Sequence, residues 1–138
     1  LAQDVTTSST TAVDTALAFA AAASKTYIVE GHFILRTNSA LNGARLGIAW
    51  PTGLLDGVAT LQINSAAGSV MQSGNILAAL LTAVGGLSLT ANSYPAQVAA
   101  TLLAGSSPSG SFQVQMASES ALASVTMKAG SWIRYREI

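Results

Sequence analysis

The sequence predicts an all-β protein, built as a sandwich or a barrel of short antiparallel strands. Apolar and polar residues alternate with period two in many short runs, which is the pattern of half-buried strands. These runs are rich in β-branched and aromatic residues, and Gly, Pro and Asn cluster between them. Many short strands separated by turns are typical of sandwiches and barrels.

The clearest strand covers Thr26–Arg36. Every second residue in it is non-polar, whereas the intervening positions mix Ile with Thr, Glu, His and Arg. One face of this strand therefore belongs to the core and the other does not. The core face consists of Tyr27, Val29, Gly31, Phe33 and Leu35.

Further strands follow from the same alternation. At the C-terminal end, we expect one long strand with a bulge or a tight bend at Gly130. Residues 1–14 are rich in Thr and Ser, and they predict a short extended arm before a domain that spans residues 15–138. The remaining strands are predicted around Leu17 and Phe19, and over Arg45–Trp50, Val58–Asn64, Gln97–Leu103 and Ser111–Ala117.

Residues 57–118 contain no Asp, Glu, Lys, Arg or His, and the whole chain has a net charge of zero. Soluble surfaces normally carry charge at roughly a quarter to a third of their positions. The uncharged region must therefore lie in a membrane, pack against other copies, or be covered by neutral polar groups. Without a basic cluster, we expect no nucleic-acid partner.

The membrane alternative fails on length. A membrane-spanning helix needs about 18 consecutive apolar residues. The best candidate, residues 76–91, is shorter and is interrupted by Gly85, Gly86, Ser88 and Thr90. We therefore expect no membrane insertion.

Residues 76–89 hold more apolar side chains than one core needs. Their spacing fits a helix, and it also fits a strand that is apolar on both faces. We favour the strand because its flanks are β, and such a strand needs a neighbouring subunit on one side. The predicted subunit interface comprises Ile76, Leu77, Leu80, Leu81, Val84 and Leu87.

The sequence offers little for catalysis. The chain has no Cys and a single His, which argues against a metal site, and no cofactor motif is present. His32 lies on the mixed face near Glu30 and Arg36, where a solvated or interfacial pairing is favoured over acid–base chemistry. We therefore expect no catalytic, cofactor or metal residues and no enzyme; a hydrolase that uses His32 is the alternative.

Two tryptophans differ in their surroundings. Trp50 shares a face with apolar neighbours and is predicted to be in the core. Trp132 shares a face with Arg134 and Arg136, and aromatic residues and Arg are enriched at interfaces. Trp132, Tyr94 and Arg134 are the predicted surface recognition residues, and a sugar is the ligand that they would suit.

Several segments resemble the β-sandwich domains of tailed-phage virion proteins, which have a jelly-roll, tumour-necrosis-factor-like fold. The strongest are Phe112–Glu119 (Phe-Gln-Val-Gln-Met-Ala-Ser-Glu) and Val125–Ser131 (Val-Thr-Met-Lys-Ala-Gly-Ser). Residues Lys25–Gly31 and Arg45–Ala49 resemble the second and third strands of the same domains. The similarity spans about residues 15–138 and departs over residues 69–91.

The resemblance implies a jelly-roll-like antiparallel sandwich of about eight strands that forms a homotrimer on the virion. Short length favours a capsid decoration or cement protein that stabilises the head shell and contacts the major capsid protein or other virion proteins. A head- or tail-fibre domain, which trimerises the fibre or binds a host-surface glycan, is the alternative.

Overall fold

The computed structural model describes residues 1–39, 42–65, 68–75, 80–83 and 93–138. This part of the chain forms eleven β-strands. In chain order they are β1 (Val5–Thr7), β2 (Val13–Ala20), β3 (Thr26–Thr37), β4 (Ala44–Ala49), β5 (Thr52–Ser65), β6 (Gly68–Asn75), β7 (Leu80–Ala83), β8 (Tyr94–Ser109), β9 (Ser111–Ser118), β10 (Val125–Met127) and β11 (Trp132–Glu137).

The strands form two antiparallel sheets. The large sheet has the order β1-β10-β3-β8-β5-β6, and β11 also pairs with β3. The small sheet has the order β2-β9-β4-β7. Successive strands change sheet at nearly every connection, and the β5–β6 hairpin is the main exception. This alternation is jelly-roll-like, so the predicted antiparallel β-sandwich is confirmed.

The strand count exceeds the predicted eight by three: one extra strand is β1, which lies in the predicted arm, and the other two have separate causes. First, β10 and β11 pair one after the other along β3, so they are one long strand broken by a turn. The break falls at Gly130, whose φ of 92° lies in the left-handed region that favours glycine. Second, the β5–β6 hairpin adds a strand at residues 68–75, where no strand was predicted.

The predicted arm, residues 1–14, lies along the edge of the large sheet. Its strand β1 pairs with β10, and the Thr6 and Thr126 hydroxyl oxygens are 2.8 Å apart. Asp4 forms an ion pair with Lys128 and accepts a 2.8 Å hydrogen bond from the Ala129 amide. These two contacts lower the pKa of the Asp4 carboxyl. Residues 13 and 14 already belong to β2.

The core fills the space between the sheets with the side chains that the alternation predicted. On β3, the odd-numbered residues from Tyr27 to Leu35 are buried. The aromatic part of the core includes the fully buried Phe112, whose ring centroid lies 5.4 Å from that of Phe19 and 5.6 Å from that of Trp50. The largest fully buried side chains are Phe33, Phe112, Leu35, Leu46, Ile63, Leu102, Met116, Met127, Val29 and Val114.

Gly31 is required by close packing within this core. A Cβ atom at that position would lie 2.8 Å from Val98 Cγ1 and 2.9 Å from both Ile133 Cγ2 and Phe33 Cζ. The glycine therefore leaves room for the Phe33 ring to fold against its own strand.

The described part of the chain contains no helix that could span a membrane.

We predict that Phe112→Ala lowers the free energy of unfolding by about 3–5 kcal/mol, because it leaves a cavity in the aromatic core. Urea denaturation followed by circular dichroism measures this change. Leu122→Ala is the control, since Leu122 is 95% exposed, and it should change the same quantity by less than about 0.5 kcal/mol. Equal effects of the two substitutions would contradict the assigned core.

Candidate functional site

The candidate site lies on the outer face of the large sheet, which we define as the face that points away from the small sheet. Strand register sets its rows of side chains. The first row crosses β11, β3, β8 and β5, and it consists of Trp132, His32, Gln97 and Gln62 in that order. Two residues further along, the row is Arg134, Glu30, Ala99 and Thr60, and the next row is Arg136, Ile28, Thr101 and Val58.

The first of these rows begins with a cluster around Trp132. The His32 ring centroid lies 4.9 Å from that of Trp132, and Arg134 Cζ lies 5.6 Å from the centroid of the Trp132 ring. Arg134 Nε donates a 2.7 Å hydrogen bond to Glu30 Oε2, and the two side chains form an ion pair. The Trp132 residue remains 38% exposed. An indole beside a guanidinium is a cation–π arrangement of the kind common at binding surfaces.

The three predicted recognition residues are placed in two different environments. Trp132 and Arg134 are neighbours on the outer face, as the previous contacts show. Tyr94 stands opposite the buried Leu35 and packs half-buried against the core. The structure therefore brings two of the three together and directs Tyr94 to the inner side of the sheet.

An apolar groove crosses the outer face on the other side of this cluster. Three adjoining hollows, of about 340, 200 and 170 Å³, run from β11 over β3 and β8 to β5. The first two share Ile28, and the last two share Val58 and Thr101. Val58 is 51% exposed and Leu103 is 37% exposed. We call this feature the cross-strand groove; Ile28, Ala99, Thr101, Val58 and Leu103 line its middle.

The two ends of the cross-strand groove carry opposite charge. Arg134 and Arg136 lie at the β11 end, and Asp56 lies at the β5 end. Within the described residues, the ion pairs join Lys25 with Glu137, Lys128 with Asp4, and Arg134 with Glu30. Arg136 and Asp56 belong to none of these pairs. Asp56 is exposed to solvent, and its Oδ1 accepts a 2.7 Å hydrogen bond from the Gly57 amide.

Sequence reasoning missed this groove. The available signals of an apolar outer face were Ile28 and Ile34 on the mixed face of β3, and Leu103 directly after the buried Leu102. Each is an ordinary half-buried or exposed apolar residue when taken alone. Only the pairing of β3 with β8, and of β8 with β5, places Ile28 near Val58.

The predicted subunit interface falls mostly outside the described residues. Ile76, Leu77, Val84 and Leu87 all lie there. Leu80 and Leu81 belong to β7, where their backbones pair with Ile48 and Gly47 of β4. Strand β7 ends the order of the small sheet, so this part of the ambiguous segment is a strand.

The part of the chain that the structure describes contains no metal-binding arrangement. No group of three or more His, Asp or Glu side chains there could hold a metal ion. His32 contacts the Trp132 ring, and the nearby Glu30 carboxylate is engaged by Arg134. These side chains can stack, donate and accept hydrogen bonds.

Comparison with known proteins adds no relative. Neither the protein-family models, nor the curated proteins, nor the solved structures yield a significant match to this chain.

The two tryptophans allow the placement of this cluster to be checked. We predict that the Trp50→Phe variant, which keeps Trp132, emits at longer wavelength and is quenched more strongly by acrylamide than the Trp132→Phe variant. Trp132 is on the outer face, whereas Trp50 packs edge-on against Phe112 and its Nε1 is buried. Steady-state fluorescence at a concentration that favours monomers measures both properties. The reverse order would contradict the assigned positions.

Proposed function

We propose that this chain is a non-enzymatic structural subunit that forms a homotrimer on a tailed-phage virion, as a capsid decoration protein of the head shell. The cross-strand groove is the observation that carries the self-association. It presents an apolar strip, interrupted by Thr101, on the outer face of a sheet whose inner face already forms the core.

The energetics favour covering this strip. Burying an exposed Val, Leu or Ile side chain stabilises a complex by about 1.5–3 kcal/mol when the burial is complete. Val58, Leu103 and Ile28 lie in one groove, so a single contact can cover all three. Contiguous apolar patches on soluble proteins commonly mark interaction sites. Because the chain has no net charge, no overall repulsion opposes the association of copies.

The described side chains on the outer face of the small sheet have a different character, and this difference supports a one-sided contact. Strand β2 exposes Asp14, Ala16, Ala18 and Ala20 there, and Gln115 Nε2 donates a 2.8 Å hydrogen bond to Asp14 Oδ1. Small and hydrogen-bonded residues leave little apolar area to bury. A shell-surface protein needs such a division between a contact side and a solvent side.

The virion assignment draws its support from the resemblance of the sequence segments. In the structure those segments lie on β9, β10, β3 and β4, which pair with one another within the two sheets. Fold alone does not specify function, so the particle itself must provide the test.

We predict that Val58→Glu dissociates the oligomer, because it places a charge in the middle of the cross-strand groove. Native mass spectrometry and analytical ultracentrifugation should show a trimer for the natural chain and mainly monomer for the variant. Ala18→Glu is the matched control: it adds the same charge to an exposed strand position on the small sheet. We expect this control to remain trimeric.

Circular dichroism must show that both variants are folded. A monomeric natural chain at micromolar concentration would contradict self-association. A trimer that persists in Val58→Glu would instead place the contact elsewhere, for example near residues 76–87.

The location on the particle separates the decoration protein from its alternative. We predict that cryo-electron microscopy of the virion that carries this chain shows its density on the head shell, at sites of local three-fold symmetry. Density on a fibre would favour the second candidate, a trimeric head- or tail-fibre domain. The exposed Trp132 beside Arg134 is the feature that supports this candidate, because aromatic surfaces serve in ligand recognition.

A further inference from the structure

We infer that the cross-strand groove binds a second copy of this chain with a fixed polarity, in which Arg136 of one subunit pairs with Asp56 of the next. This inference rests on the proposed self-association and specifies its geometry. It comes from the charges at the two ends of the groove rather than from the apolar strip between them.

The two charges cannot compensate each other within one subunit. Arg136 is on β11 and Asp56 is on β5, with β3 and β8 between them. Three strand spacings of about 4.8 Å separate them by roughly 14 Å or more. Charges exposed to water interact weakly beyond about 8 Å at physiological ionic strength. Each end of the groove therefore presents an unbalanced charge to a partner.

The neighbouring charges are already engaged. At the β11 end, Arg134 pairs with Glu30. At the adjacent strand end, Lys25 pairs with Glu137, and this contact raises the pKa of Lys25. Among the described residues that border the groove, Arg136 and Asp56 are thus the exposed charges without an ion-pair partner.

A second copy supplies the complement to both ends. Placing the Arg136 end of one subunit against the Asp56 end of the next makes one opposite-charge contact in every interface. It also covers the apolar middle of the groove. Pairing equal ends would bring Arg136 close to arginines of the neighbour, and like charges across an interface are strongly unfavourable. A head-to-tail contact of this kind closes into a ring when it repeats by rotation, as a trimer requires.

A charge-reversal cycle tests the pairing. The variants are Arg136→Asp, Asp56→Arg and the double variant that carries both changes. We expect each single reversal to weaken the association constant by about tenfold or more, because it juxtaposes like charges. The double variant restores an opposite pair, so its association constant should return to within about threefold of the natural value. Sedimentation equilibrium at low ionic strength measures the four constants.

Asp56→Asn is the matched neutral control. Its side-chain oxygen can still accept the hydrogen bond from the Gly57 amide, so it removes the charge while keeping the local structure. We expect it to weaken association less than Asp56→Arg does. Thermal unfolding of every variant identifies any loss of folding.

The outcomes separate this inference from the proposed function. Folded single reversals that associate as well as the natural chain, or a double variant without recovery, would overturn the Arg136–Asp56 pair and leave self-association standing. A natural chain that stays monomeric would overturn both. If the natural chain forms a dimer and the double variant restores that dimer, the Arg136–Asp56 pair is upheld and the homotrimer is contradicted.

Discussion

The alternation along β3 is the constraint on which the rest of the structure depends. This strand pairs with β10 and β11 on one side and with β8 on the other, so it fixes the register of most of the large sheet. Its odd-numbered residues enter the core, where Gly31 makes room for the Phe33 ring. The same geometry sends Ile28, Glu30 and His32 to the outer face, where they form the Trp132 cluster and the floor of the groove.

This arrangement shows which surfaces the uncharged residues form. On the small sheet, neutral side chains such as Gln113 and Gln115 meet the solvent and form hydrogen bonds. On the large sheet, the uncharged stretch contributes Val58, Thr101 and Leu103 to an open groove. Among the described residues, the small sheet thus meets the solvent mainly with small and neutral polar groups, and the large sheet leaves an apolar strip that a partner would cover. In the proposed assembly, the few charged groups around that strip orient the partner.

The local part of this fold could be predicted from the sequence, whereas the non-local part could not. Period-two alternation gave the strands at residues 58–64, 97–103 and 111–117, because burial of one strand face leaves a direct trace in the residue order. The break at Gly130 was likewise visible as a local signal. Strand β1 could not be predicted in this way, since three residues of a Thr-rich segment carry almost no apolar pattern. The groove depends on register between β3, β8 and β5, and the side of the sheet that Tyr94 faces depends on its pairing with Leu35.

We propose that subunits meet through the outer face of the large sheet. Since the chain has no Cys, single nitroxide labels can be attached without competing sites, at Gln97→Cys on that face or at Ala18→Cys on the opposite side of the sandwich. Pulsed electron spin resonance of each labelled oligomer then measures the distance between subunits. We predict a shorter distance for the label at position 97 than for the label at position 18. A shorter distance at position 18 would contradict it.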